Sequence, residues 1–280
     1  MALKWLTRIG LGLIAFAAVG YVVFYFGSQL VIDRKWPVEP VAVRAAQGPA
    51  AVAEGERLAR LYGCQDCHGT ELRGRLYVDE PGIASLWSPN LTLMAATYSD
   101  ADFARAIRAG VDPKGRALIT MPSVAYSRLS DDETGKVIAY IRSLRPGGEV
   151  RPLSNVGWIG RLGLITNDYR TAPVEVANAR GRPLPNLGAA LAKGQGLARA
   201  CVECHGADLS GDRGVGTPSL KVVKDYTEPQ FERLLLVGRS NTGHELDLMS
   251  STARRRFNGL TSADMAALYA YLRQRATAAR

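Results

Sequence analysis

The chain has 280 residues, enough for about two domains of ordinary size. With 47% hydrophobic and 22% charged residues, it is neither disordered nor fibrous in composition. The formal net charge of +9 at pH 7 includes only one basic triplet, Arg254-Arg255-Arg256, and no basic run is interleaved with aromatic residues. This pattern argues against nucleic-acid binding and favours a solvated basic surface that suits an acidic partner.

The N-terminal segment is strongly apolar. No charged residue occurs between Arg8 and Asp33, and residues 9–31 are mostly apolar. At a rise of about 1.5 Å per residue, a helix of this length spans about 34 Å, enough to cross the hydrocarbon core of a bilayer. The alternative is a signal peptide cleaved after Ala15-Phe16-Ala17, but the uncharged run exceeds the usual signal-peptide core. We therefore expect residues 1–31 to form an uncleaved transmembrane anchor.

An internal repeat follows a proline-containing segment, residues 32–52, which is predicted to be an extended stalk. Tyr98, Phe103, Gly110 and Met121 recur as Tyr226, Phe231, Gly238 and Met249, with the same intervals in both halves. A repeat of this kind indicates two copies of one structural unit. We expect a first domain over residues 53–148, a connector over 149–187 and a second domain over 188–280.

Each half is predicted to be a small helical domain. A middle helix is expected over residues 100–109 in the first half and over 228–237 in the second. The final helices are expected to begin after Ser130 and Thr261, because an acidic residue follows each of them three positions later, as in a capping box. No segment shows clear strand alternation, so the predicted fold class is all-α.

The connector contains a short apolar patch over residues 156–165, which includes Trp158, Ile159 and Leu162. The simplest interpretation is that this patch packs across both domains. The alternative is that it forms a contact surface for a partner subunit or for the membrane.

All four cysteines belong to two Cys-x-x-Cys-His motifs, at residues 64–68 and 201–205. Two thiols one helical turn apart can each add to a porphyrin vinyl group, and the adjacent histidine then lies under the iron. A Cys₄ zinc site is disfavoured by the distance between the pairs, and redox disulfides by the absence of thioredoxin-like strands. Unreactive buried cysteines would not occur as two spaced pairs. The motifs predict two covalent haem c groups, attached through Cys64, Cys67, Cys201 and Cys204, with His68 and His205 as axial iron ligands.

The repeat also selects the second axial ligand of each iron. Only Met121 and Met249 occupy equivalent positions, each 11 residues after a repeated glycine. A thioether ligand raises the reduction potential and fills the last coordination position, which favours outer-sphere electron transfer. His244 lies five residues before Met249, and the alternative that it ligates or gates the second haem stays open.

A proximal histidine usually donates its other ring nitrogen to a backbone acceptor, which fixes its tautomer. Pro89 and Pro218 each lie between a motif and the following middle helix. We expect the carbonyl groups of these prolines to accept hydrogen bonds from His68 and His205.

Residues 53–146 and 192–275 resemble class I cytochrome c domains, through Cys-x-x-Cys-His-Gly, a proline loop, a methionine loop and a final helix with Ala-Tyr-x-Arg. The first half, with Ser88-Pro89-Asn90-Leu91-Thr92 and Met121-Pro122, is similar to cytochrome subunits of membrane-bound alcohol and sugar dehydrogenases. Such subunits relay electrons from a periplasmic dehydrogenase to quinone or another acceptor. This chain has two haem motifs where those subunits commonly have three, and its anchor is N-terminal.

The resemblance implies two tandem class I cytochrome c domains in the periplasm, behind a single span in the bacterial inner membrane. The expected function is electron transfer from a dehydrogenase or quinol-oxidising donor to an acceptor such as a terminal oxidase. The expected partners are therefore redox proteins, and we expect no independent catalysis. Two alternatives stay open: a peroxidase-like dihaem enzyme with an exchangeable ligand at the second haem, and a haem-bearing subunit that mainly holds other proteins at the membrane.

Overall fold

The structure is a computed structural model that describes residues 2–278, and it begins with a long helix, α1 (Ala2–Ile32). From Lys4 to Ile32 this helix is long and apolar enough to cross a membrane, and its most apolar window has a mean hydropathy of 2.2. Residue 1 of the predicted anchor and residues 279–280 of the predicted second domain lie outside the described residues.

Two helical units and a connector follow α1. The first unit contains, in chain order, α2 (Pro49–Leu61), α3 (Cys64–His68), β1 (Leu76–Glu80), β2 (Ala84–Trp87), α4 (Leu91–Met94), α5 (Asp100–Ala109), α6 (Ser123–Tyr126) and α7 (Asp131–Ser143). The connector contains β3 (Asn155–Val156), α8 (Trp158–Thr166) and α9 (Ala172–Ala179). The second unit contains α10 (Ala192–Ala198), α11 (Val202–His205), α12 (Glu228–Val237), α13 (Asp247–Thr252) and α14 (Ser262–Ala278), with 3₁₀ turns at Ala189–Leu191, Arg199–Cys201 and Leu220–Asp225 and a π-helical turn at Ala253–Phe257.

Local sequence signals set the starts of the main helices. Ser99 and Ser130 begin α5 and α7 with the reciprocal hydrogen bonds of a capping box. Thr261 and Asp264 make the same pair of bonds before α14. The predicted middle helices, now α5 and α12, and the predicted starts of the final helices are confirmed.

The first and last helices of each unit cross at a glycine. A Cβ atom on Gly55 of α2 would lie 1.9 Å from the carbonyl oxygen of Lys136 in α7. One on Gly194 of α10 would lie 2.0 Å from the carbonyl oxygen of Ala267 in α14. Only a residue without a side chain permits so close an approach. Both crossings belong to the hydrophobic core, which continues from one unit into the other.

A small antiparallel sheet, in the order β1-β2-β3, corrects the all-α expectation, although the fold is mostly helical. Its hairpin fills the interval between His68 and Pro89, which is 21 residues long, against 13 residues between His205 and Pro218. The strands have only five and four residues, too few for alternation to stand out. The turn between them contains Pro81-Gly82, a signal that sequence reasoning could have used.

Residues 33–48, most of the predicted stalk, lie along the first unit rather than free of it. The backbone amide of Trp36 donates to the carbonyl oxygen of Gly115 at 2.9 Å, and Val43 is buried in the core of the unit. The last part of the predicted stalk is already helical, because α2 begins at Pro49. The end of α1 is therefore held close to the first unit.

The glycine crossings predict a position-specific effect on stability. Replacing Gly194 with alanine should lower the free energy of unfolding by about 2 kcal/mol, because overpacking at a tight contact commonly costs about 1–3 kcal/mol. Gly196→Ala in the same helix is the matched control, since its Cβ atom would meet only the flexible end of Arg199. Urea unfolding followed by circular dichroism measures both variants. Equal stability of the two would contradict the close crossing.

Candidate haem sites

The first Cys-x-x-Cys-His motif forms its own short helix, α3, directly after α2. Gly63, with φ of 73°, makes the turn between the two helices in the left-handed region that glycine adopts without strain. Since three residues span nearly one turn, Cys64 and Cys67 face the same side of α3. Both cysteines and His68 line a cavity of about 660 Å³ in the first unit.

The walls of this cavity are mainly apolar side chains of the helical core. They are supplied by α2, α5, α7 and the loop before α6, and they include Leu58, Phe103, Ile107, Val137 and Ile141. Met121 lines the same cavity, so the predicted proximal and distal ligands of the first iron share one site. The last turn of α1 reaches this cavity as well, because Ile32 and Asp33 form part of its wall.

Both histidines make the hydrogen bond that the sequence predicts. Nδ1 of His68 lies 2.9 Å from the carbonyl oxygen of Pro89, and Nδ1 of His205 lies 2.8 Å from that of Pro218. A carbonyl can only accept, so Nδ1 donates and Nε2 keeps its lone pair for a metal. Burial lowers the pKa of both imidazoles, more than the hydrogen bonds to the proline carbonyls raise it. The neutral imidazole, which is the ligating form, is therefore favoured at pH 7.

A hydroxyl group secures each motif to its proline loop. Ser88 Oγ donates to the carbonyl oxygen of Cys67 at 2.6 Å, and Thr217 Oγ1 donates to that of Cys204. Ser88 and Thr217 each precede the proline that accepts from a histidine. Sequence reasoning missed these two residues, although their equivalent places in the repeat were a usable signal.

The cysteines do not have the environment of reactive thiols. Burial raises the pKa of Cys64 to about 12 and that of Cys201 to about 12, and it also raises the pKa of Cys67 and Cys204. Reactive and metal-binding cysteines have lowered pKa values instead. Among residues 2–278, no three His, Cys, Asp or Glu side chains converge on a possible metal position. The thiols of Cys64 and Cys67 lie instead at the wall of the largely apolar cavity.

A serine attaches each predicted methionine segment to its middle helix. Ser123 Oγ, two residues after Met121, donates to the carbonyl oxygen of Ala106 in α5 at 3.1 Å. Ser250 Oγ, next to Met249, donates to the carbonyl oxygen of Gly238 at the end of α12. Axial ligation by the two methionines stays a prediction, but each lies partly buried against the core at the equivalent place of its unit.

The second methionine lies in a different local structure from the first. Met249 lies within α13, whereas Met121 lies in a loop followed by proline. His244 is exposed on the turn before α13, and its backbone amide donates to Ser240 Oγ at 3.0 Å. The hydrogen bond described for His244 is thus one that its backbone makes within the turn.

The two motifs come together where the two units pack. Asp66, inside the first motif, lies 2.7 Å from Nε of Arg256. Glu203, inside the second motif, lies 2.6 Å from Nη1 of the same guanidinium. A further ion pair between the units joins Arg199 and Glu133 at 2.8 Å. Arg256 is only 9% exposed, so this member of the basic triplet does not belong to the expected solvated surface.

The residues present fit a covalently bound haem c group. The first site combines paired cysteines, a neutral histidine with its tautomer fixed and a methionine around a largely apolar cavity. The second site has the same set of donors, with the same hydrogen bond on its histidine. This donor set, repeated on two helical units, defines a c-type cytochrome.

Comparison with known proteins agrees with the geometry. The cytochrome c family model matches residues 52–145 and 191–276, which together are more than half of the chain. The chain belongs to the cytochrome c family, whose members carry covalently bound haem c.

Several curated proteins are similar to parts of the chain. The gluconate 2-dehydrogenase cytochrome c subunit of Pantoea cypripedii is 33% identical over 119 residues, 39% of this chain and 27% of that protein. The fructose dehydrogenase cytochrome subunit of Gluconobacter japonicus is 29% identical over 130 residues, 43% of this chain and 25% of that protein. The cytochrome c subunit of the quinone-dependent alcohol dehydrogenase of Gluconacetobacter polyoxogenes is 25% identical over 173 residues, 56% of this chain and 36% of that protein. The chain therefore spans only about a quarter to a third of the length of these relatives.

The site geometry predicts the effect of removing each methionine. Met121→Ala and Met249→Ala should each convert one haem to a high-spin or ligand-exchanged form, because each substitution removes a strong-field axial ligand. Visible absorption spectra of the oxidised and reduced protein measure the change. Met94→Ala is the matched control, since Met94 lines the first cavity but has no counterpart in the repeat. An unchanged spectrum of either ligand variant would reject that methionine as a ligand.

Proposed function

We propose that this chain is a membrane-anchored cytochrome that carries electrons through two haem c groups, each held by a histidine and a methionine. The observation that carries the proposal is the duplicated site, in which both histidines point Nδ1 at a proline carbonyl and both methionines occupy the same place in the repeat. Closed coordination at both irons leaves no position for substrate. Such a site suits electron transfer rather than oxygen or peroxide chemistry.

The residues of each site would hold and orient haem c. The cysteines hold the group covalently, while the proline carbonyl orients the histidine and keeps its Nδ1 protonated. The apolar wall of the first cavity excludes water and favours the less charged, reduced iron, which raises the reduction potential. When bound, haem c supplies a carrier of one electron. Met121 and Met249 would complete the set of residues that hold the two groups.

A dehydrogenase is the proposed electron donor. The relatives named above include cytochrome subunits of gluconate and fructose dehydrogenases, which supports a redox protein as partner. A quinol-oxidising complex is the other donor compatible with a membrane anchor, and a terminal oxidase is the proposed acceptor. The excess of basic residues suits an acidic docking face on the partner.

The proposed location is the bacterial inner membrane, with α1 as an uncleaved span and both haem sites in the periplasm, where haem c is attached. Two contacts join the C-terminal end of α1 to the rest of the protein. Arg161 of the connector donates to Ser28 Oγ in α1 at 2.9 Å, and Ile32 lines the first cavity. Both α1 residues follow Ala17, so the proposal of an uncleaved span rests on the length of the uncharged run between Arg8 and Asp33.

Haem stoichiometry tests the proposal. A pyridine haemochrome assay of the purified, membrane-extracted protein should give two haems per chain. The double variants Cys64→Ala/Cys67→Ala and Cys201→Ala/Cys204→Ala should each give one, because each removes one pair of attachment points. One haem or none in the unaltered protein would overturn the proposal.

A further inference from the structure

The connector helix α8 carries an exposed apolar stripe. Trp158, Leu162 and Ile165 follow one another at intervals of four and three residues, so they share one face of the helix. They are 63%, 45% and 45% exposed, and Tyr169 just beyond the helix is 49% exposed. Apolar side chains of this size, adjacent and uncovered, mark a contact surface.

The opposite face of α8 is fixed to the rest of the protein. Gly160 and Leu164 are buried, and the backbone amide of Ile159 donates to the carbonyl oxygen of Gly82 in the β1–β2 turn at 2.9 Å. The helix cannot rotate to hide its stripe without breaking this attachment. The stripe is therefore presented in a set direction by the first unit.

Arg161 joins α8 to the end of the apolar helix α1. Its Nη1 donates to Ser28 Oγ at 2.9 Å and to Gln29 Oε1 at 3.2 Å, and its guanidinium lies 4.6 Å from the ring centroid of Tyr25. About 20 residues of helix cross the hydrocarbon core, so the last two turns of α1 lie near the headgroups when α1 spans a bilayer. The connector helix lies at that same depth.

We propose that α8 lies in the interface of the membrane, with its apolar stripe among the lipids. Trp158 and Tyr169 are of the residue types that favour this depth, and α8 contains no acidic residue. The occupant of the surface is thus the lipid bilayer that surrounds α1. This inference rests on the proposed membrane anchoring.

The position of α8 in the membrane interface has a consequence for the first haem site. The sheet to which α8 is attached also contributes Leu86 and Trp87 to the cavity wall, and α1 contributes Ile32. Two attachments, α1 and α8, therefore hold the first cavity at the membrane surface in one orientation. This places the first site where a membrane-bound redox partner can reach it.

Cysteine labelling of the whole chain in lipid nanodiscs tests the inference. Three single variants are compared: Leu162→Cys on the stripe, Val19→Cys in the middle of α1, and Val222→Cys on the exposed surface of the second unit. A charged maleimide reacts with the thiolate, which forms poorly in lipid. Leu162→Cys and Val19→Cys should therefore each react at least about tenfold more slowly than Val222→Cys.

The outcomes separate the interfacial position of α8 from the membrane anchoring by α1. Fast labelling of Leu162→Cys together with slow labelling of Val19→Cys would overturn the interfacial position of α8 and leave the anchor intact. Fast labelling of Val19→Cys would overturn the anchor and the inference together. Because the nanodiscs contain no partner subunit, slow labelling of Leu162→Cys supports contact with lipid rather than with a redox partner.

A second inference comes from an independent feature, the buried guanidinium of Arg256. It bonds to Asp66 and Glu203, each of which lies between the two cysteines of a haem motif. Gly63 makes room for it, because a Cβ atom there would lie 2.2 Å from Cζ of Arg256. The arginine also lies in the π-helical turn Ala253–Phe257, a conformation that is rare and is often found at functional positions.

The charges of Arg256, Asp66 and Glu203 depend on one another. Burial alone would lower the pKa of Arg256, but hydrogen bonding and attraction to Glu203 and Asp66 outweigh burial and raise it. The guanidinium therefore stays charged and balances one of the two negative charges. Removing it would leave two carboxylates facing each other in a poorly solvated contact, which is strongly unfavourable.

We infer that Arg256 is a positioning residue that fixes the two haem motifs relative to each other and sets the charge beside both. Its loss should lower both midpoint potentials, since uncompensated negative charge favours the more positive ferric state. It should also loosen the packing of the two units, because the carboxylates then repel each other. This inference rests on the two-haem proposal.

Redox titration of Arg256→Gln tests this role. Arg255→Gln is the matched control, because the Arg255 side chain is 51% exposed and, among residues 2–278, bonds to Asp66 alone, at 3.1 Å. We expect a fall in both midpoint potentials for Arg256→Gln, and a clearly smaller shift for Arg255→Gln, whose charge is screened by solvent. Adding Glu203→Gln to Arg256→Gln removes one negative charge for the positive charge that is lost, so it should restore potentials near those of the unaltered protein.

Any of three results would overturn the inference: potentials of Arg256→Gln equal to those of Arg255→Gln, a shift confined to one haem, or failure of the Arg256→Gln/Glu203→Gln double variant to restore the potentials. A haem count of two per chain in each variant separates these results from failure of the two-haem proposal itself.

Discussion

The hydrogen bond from each proximal histidine to a proline carbonyl is the interaction on which the rest of the structure depends. It can form only if the motif helix and the proline loop lie side by side, and a hydroxyl, from Ser88 or Thr217, binds the two together in each unit. The motif helix is in turn positioned by the helix before it, whose close crossing with the final helix requires glycine. The glycines at the helix crossings, although distant from the histidine, therefore help to orient its imidazole in each unit.

The two units share this arrangement of motif helix and proline loop. They differ in the contacts that each makes with other parts of the chain. The first unit has a longer interval between its motif and its proline loop, and the added residues form the hairpin that holds α8, which contacts the end of α1 through Arg161. The described residues of the second unit form no such hairpin, and this unit contributes Arg256 to the contact between the motifs. The first unit is therefore specialised for holding α8, and the second for the contact between the two motifs. Both units keep the same hydrogen bond from histidine to a proline carbonyl.

Much of the site was predictable from the sequence because the repeat supplies each signal twice. The capping boxes at Ser130 and Thr261 and the proline acceptors are local patterns, and the structure has them where the sequence places them. The hairpin occurs in one half only, so no repeat marked it. The pairing of Asp66 with Arg256 joins residues 190 positions apart, and only the packing of the two units could reveal it.

The central claim is that both irons are closed by a histidine and a methionine, so that the protein carries electrons and binds no substrate at iron. Low-temperature electron paramagnetic resonance of the oxidised, full-length protein in membranes tests this claim most directly. The account predicts two low-spin ferric signals of histidine–methionine type, in equal amounts, and no high-spin signal. A stoichiometric high-spin signal from either site would contradict it.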